Sequence, residues 1–172
     1  MQDRAVAIAK EARRQEESCL YTSTTHYEWL RQVRRQNTVF IVAPIILGAL
    51  AGFSVLKNSA PDWVVAALAL LASLFPALAN ALKIQTSVNE IAANAAAYKS
   101  LQDRFRQLAT IGVLTDVDAA EIELRELMDR MDVARSTSIT APEKYFKRAQ
   151  EKIAQGHYDF AVDAAEKDRP EG

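Results

Sequence analysis

Few side chains in this sequence have the type and spacing that covalent chemistry needs. His26 and His157 stand far apart, and neither belongs to an HxxxH, CxxC or other paired spacing that would ligate a metal. The acidic run TDVDAAEIE, from Thr115 to Glu123, lacks the glycine and the ligand spacing of a calcium loop, so its carboxylates read as complements to a helix N-terminus. No GxxxxGK[ST] or GxGxxG is present to cradle a nucleotide. Cys19 lies beside Glu16, Glu17 and Ser18, a setting that does not depress a thiol pKa, and a single cysteine forms no intramolecular disulfide. The expectation is a protein that is not an enzyme, with no catalytic, metal or cofactor-binding residues.

The polar groups that do invite a role are Ser54, Ser73 and Asn80, because they interrupt two otherwise apolar, uncharged stretches, Thr38 to Leu56 and Trp63 to Leu82. Side chains of this kind inside a membrane span can line an aqueous path, which makes the three candidate pore-lining residues. Asn80 also sits within a turn of the stretch's end, where headgroups alone would satisfy it.

As helices the two stretches are about 28 and 30 Å long, matching a hydrocarbon core of roughly 30 Å. Neither shows the polar face of a helix buried in a soluble bundle. Six residues join them, so they read as a two-span hairpin. Gly48 and Gly52 form a small-xxx-small pattern in the first span, and Ala66, Ala69, Ser73 and Ala77 form a small face on the second. Gly48, Gly52, Ala69 and Ser73 are candidate helix-packing residues, either between the two spans of one chain or between copies. Pro44 and Pro76 each free a carbonyl inside the apolar zone.

Charge is distributed around this hairpin. Residues 1–37 carry seven basic and five acidic groups, residues 83–112 four and two, and residues 113–172 nine and fourteen. Arg31, Arg34 and Arg35 before the first span and Lys83 after the second face a connecting loop with one lysine, so both termini are expected in the cytoplasm. Trp29 and Trp63 suit the two interfacial levels. The acidic distal part argues against direct nucleic-acid binding. No cleavable leader is read, since charged residues crowd the segment before the first apolar run.

The elements that position these residues are helical throughout, an all-α chain in five parts. A pre-membrane cytoplasmic helix (1–37), with a possible break at Thr22 to Thr25, leads into the hairpin (38–82). No glycine or proline follows until Gly112, so the second span is expected to continue as one rod of about 48 residues through 83–112. Along the rod, Ile84, Val88, Ile91, Ala95, Tyr98, Leu101, Phe105 and Leu108 form a seam, and nearby alanines invite the pre-membrane helix to fold back antiparallel. Two short amphipathic helices occupy 113–156. Thr115 with Asp118 and Thr140 with Glu143 are read as their capping boxes, and Phe146, Ala149 and Ile153 as the buried stripe of the second. Asp62 is read as the cap of the second span, Gly156 as the stop of the last helix, and 157–172 as a polar tail that Tyr158, Phe160 and Val162 could anchor.

A helix with arginines, a tight two-span hairpin, a long Ala-rich helix containing AAYKSLQDRFRQLA and short capped helices together resemble the SLATT family, the SMODS and SLOG associating two-transmembrane effector domains. The likeness runs from about Lys10 to Gln155. It implies a membrane effector of a prokaryotic anti-phage or conflict system, in the bacterial inner membrane, that oligomerises to form a pore or disrupt the bilayer when triggered. No fused sensor is present, so the trigger would be a separately encoded partner. Two spans cannot enclose a pore alone, which makes a homo-oligomer part of the same expectation. The alternative is a non-conducting membrane anchor or scaffold for a soluble partner.

Overall fold

A computed structural model describes residues 2–57 and 61–158, without the side chains of residues 85 and 86. The loop residues 58–60 and the tail from 159, with Phe160 and Val162, lie outside the described residues. The chain is all-α. Helix α1 spans Gln2–Lys57, α2 Asp62–Ala81 and α3 Ile84–Gln107; a π-helical turn at Leu108–Gly112 and a single turn, α4 (Val113–Thr115), lead to α5 (Val117–Thr137) and α6 (Glu143–Ala154). There is no strand among the described residues. The chain divides into two units, one of residues 1–28 and 93–172, the other Trp29–Ala92.

In the first unit α1 continues straight through Thr22 to Thr25, where the sequence suggested a break. The hydroxyls explain this. Thr22, Ser23 and Thr25 donate to the carbonyls of Ser18, Leu20 and Tyr21, at 2.8, 3.1 and 2.7 Å, so they spend their hydrogen-bonding capacity along the helix instead of competing with it. The seam on α3 is buried as its spacing requires: Ala95 and Phe105 are fully inaccessible, and Tyr98, Leu101 and Leu108 nearly so. Tyr98, Leu101, Phe105 and Leu108 join Ile8, Ala12 and Cys19 of α1 and Ala120, Leu127 and Met131 of α5 in one apolar cluster.

Direction follows from the pairs. His26 stacks on Tyr98 with ring centroids 5.9 Å apart, while Glu16, ten residues earlier, feels Arg106, so α3 runs antiparallel to α1 as expected. Arg4 pairs with Asp118 and Glu121, and His26 Nε2 lies 3.2 Å from the Ile139 carbonyl, so α5 runs parallel to α1. The next helix continues in that direction, with Tyr21 against Phe146 at 6.3 Å and Lys152 bonded to the buried Glu28 at 2.5 Å. Of the alanines near the seam, Ala95 is buried and Ala92 half-buried, while Ala93, Ala96 and Ala97 face outward.

Several local expectations are corrected. Asp116, one residue beyond Thr115, caps α5 by accepting from the Asp118 and Ala119 amides, while the Thr115 hydroxyl donates back to Ile111. Pro142 and Pro61 occupy the cap positions of α6 and α2 without a side-chain bond, so Glu143 and Asp62 serve as first-turn acids complementing the helix dipole. On α6 the buried residues are Tyr145 and Ala149, with Phe146 exposed and Ile153 half-buried. The stop at Gly156 holds: at φ 72° it closes a Schellman motif, its amide donating to Ile153 and that of His157 to Lys152.

In the second unit the helix does not run unbroken out of α2. It ends at Ala81, Lys83 adopts φ 49°, and α3 starts at Ile84. The Lys83 amide donates to the Asn80 carbonyl at 3.0 Å and its own carbonyl accepts from Ser87, so one residue closes one helix and opens the next. A lysine thus takes the left-handed seat that Gly156 takes elsewhere, at a cost of about 1 kcal/mol that scanning for glycine and proline does not register.

Candidate functional site

The apolar hairpin is the candidate site, built from the part of α1 in the second unit together with α2. Both helices are long and apolar enough to cross a membrane, which is compatible with a membrane protein. Each is continuous through its proline. Almost none of this apolar surface is covered: α2 has no buried residue, and in the span of α1 only Ala51 is buried. Leu56 is 87% exposed, Trp63 72% and Ile45 66%. The helices meet where Phe40 sets its edge against Phe75, with centroids 5.8 Å apart.

The small-residue positions face outward. A Cβ added at Gly48 or Gly52 would meet nothing within 4 Å, and Ala66, Ala69, Ser73 and Ala77 are all exposed. These two faces stay open, although Ala51, between the glycines, is buried. Of the alternatives left by the sequence, contact between the two spans does not use the glycines.

Ser54 is half-buried and donates to the Leu50 carbonyl at 2.9 Å; Ser73 is exposed and donates to Leu70 at 2.8 Å. Asn80 is exposed on the same face of α2 as Ser73, two turns along. At the end of the hairpin opposite the loop, Asn80 joins Asn37 and Lys83 at the rim of a cleft of about 750 Å³ whose walls are Phe40, Ile41, Pro44, Ile45, Pro76 and Ile84. Arg31, Arg34 and Arg35 are exposed on α1 before this end, and Trp29 is half-buried. At the loop end Trp63 is exposed and Lys57 lies over the Phe53 ring at 5.4 Å.

Comparison with family models, curated proteins and solved structures finds no match to this chain.

In the first unit a second cleft, of about 620 Å³, gathers His26, Tyr98, Arg135, Ser138, Thr140 and Glu143. No sequence spacing announced it, because its residues come from three separate stretches of the chain, around His26, Tyr98 and Arg135 to Phe146. His26 is buried, its Nδ1 2.9 Å from the Thr22 carbonyl. The cleft's two charged residues each pair with a neighbour on their own helix, Arg135 with Asp132 and Glu143 with Lys147. Cys19 is buried in the core, and burial pushes its thiol up to about 11, which suits a structural cysteine. No group of three or more His, Cys, Asp or Glu side chains among the described residues is placed to hold a metal.

Proposed function

We propose that this chain is a non-enzymatic membrane effector that self-associates through its hairpin and permeabilises the bacterial inner membrane when a separately encoded sensor acts on its helical, cytoplasmic unit. The observation that carries the reading is the outward-facing apolar surface of both hairpin helices, with none of α2 buried. A soluble core helix is mostly covered, and in water this much exposed Leu, Ile, Val and Phe would be an aggregation surface; in a bilayer it is solvated. The exposed Arg31, Arg34, Arg35 and Lys83 at one end favour both termini in the cytoplasm. The open glycine and alanine faces supply the close-approach surfaces that an oligomer needs. Resemblance to the SLATT family points to an antiviral, abortive-infection role and to the sensor partner.

The test is expression with the neighbouring gene's product, following dye entry and membrane potential before and after activation. Loss of potential on activation is the expected result; an intact potential under full activation overturns the pore.

A second reading, a non-conducting anchor or scaffold, draws on the hydroxyls of Ser54 and Ser73, which are taken up by their own helices' carbonyls. Replacing Ser73 and Asn80 with Leu separates the two. A scaffold tolerates the change, whereas a pore lined by these residues loses conductance.

A further inference from the structure

The cleft at the end of the hairpin opposite the loop has a lengthwise gradient of polarity. Asn80 and Lys83 stand at its rim, and Phe40, Pro44, Ile45 and Pro76 form the walls leading inward. From Asn37 to Ile45 helix α1 advances about 12 Å, the depth of the first several methylenes of an acyl chain below its headgroup. Lys83 is exposed and belongs to none of the ion pairs among the described residues. No acidic residue occurs between Trp29 and Pro61 or between Trp63 and Asn89, so no carboxylate of the spans competes for it. Its backbone also occupies a left-handed seat that glycine would fill without strain. The strained backbone thus carries a cation at the mouth of the cleft.

We infer that this cleft binds one anionic phospholipid, its phosphate held by the Lys83 ammonium and the Asn80 amide and one acyl chain lying against Phe40, Pro44, Ile45 and Pro76. The inference rests on the membrane reading above. An anionic lipid fits better than a zwitterionic one, because the rim brings a cation and the Asn80 amide but no acid to meet a choline or ethanolamine group. Occupancy would settle at the joint between α2 and α3, where a lipid contact bears directly on the Lys83 backbone.

The test uses the full-length protein extracted in mild detergent, doped with equal amounts of phosphatidylglycerol and phosphatidylcholine, and examined by native mass spectrometry for retained lipid. The wild type is expected to retain phosphatidylglycerol over phosphatidylcholine by about fivefold, the effect of one lysine at an anionic surface. Lys83→Gly relaxes the joint while removing the charge, so it should fold normally and bring the ratio close to one. Ala79 also lines the cleft, so Ala79→Phe fills it and should remove both retained lipids, while Lys57→Ala at the loop end should leave the ratio unchanged. A ratio indifferent to Lys83→Gly and Ala79→Phe overturns the lipid site and leaves the membrane reading standing. A change of oligomeric state in Ala79→Phe without lipid preference in the wild type overturns it in favour of a second copy in the cleft. Recovery of the chain in the aqueous fraction without detergent overturns both readings.

Discussion

Cys19 and Glu16 sit three residues apart on α1, and burial raises the pKa of each. For Cys19 the consequence is chemical. With the thiol at about 11, the nucleophilic thiolate is scarce at neutral pH and the sulfur is also inaccessible. Maleimide should therefore label the folded protein at pH 8 far more slowly than the urea-unfolded chain, which a mass shift measures directly. For Glu16, burial raises the carboxyl above its ordinary 4.5, with Arg106, Arg13 and Lys99 pulling partly the other way. The folded state then holds the proton more tightly than the unfolded one, so this residue's contribution to stability falls as pH rises through the folded pKa. Glu16→Gln should raise the Tm at pH 7, and the gain should shrink as pH is lowered through the carboxylate range. Glu121 has the opposite sign, because hydrogen bonds from Arg4 and Arg125 hold its carboxyl low. Its contribution is present above 4.5 and is lost as pH falls through the depressed pKa.

At the scale of elements, α3 was the most legible part of the chain. Its seam residues recur at steps of three and four, and the helix presents them along one line to α1 and α5. Phe105 is central and fully buried. Truncating it to Ala should cost about 3–5 kcal/mol, read as a fall in the urea midpoint followed by circular dichroism in detergent. Helix ends were less legible. Thr115 and Asp116 are both good caps, and only the backbone's turn to φ −152° at Asp116 selects between them. The joint at Lys83 was invisible for a related reason. Residue type alone marks a left-handed seat when glycine fills it, and here a lysine does. The π-helical turn at Leu108–Gly112 carries one extra residue per turn where Leu108, Ala109 and Val113 are buried, and no local sequence signal marks it.

For the whole molecule, the open faces of the hairpin make a directional prediction about assembly. Because a Cβ at Gly48 or Gly52 meets nothing within 4 Å, Gly48→Leu with Gly52→Leu should leave helicity and thermal unfolding of the monomer unchanged. Self-association in detergent or nanodiscs, followed by sedimentation, should weaken by about tenfold. Unchanged association would remove the glycine face from the assembly. Composition and periodicity alone determined that the chain is helical, that two stretches suit lipid, and which face of α3 is buried, because each is a property of residues within a few turns of one another. Only the tertiary structure decided that the glycines turn away from the second span, that Lys83 breaks the helix, and that His26, Tyr98 and Ile139 meet. Those outcomes depend on which helices arrive beside one another, and a linear pattern of residue types holds no record of that.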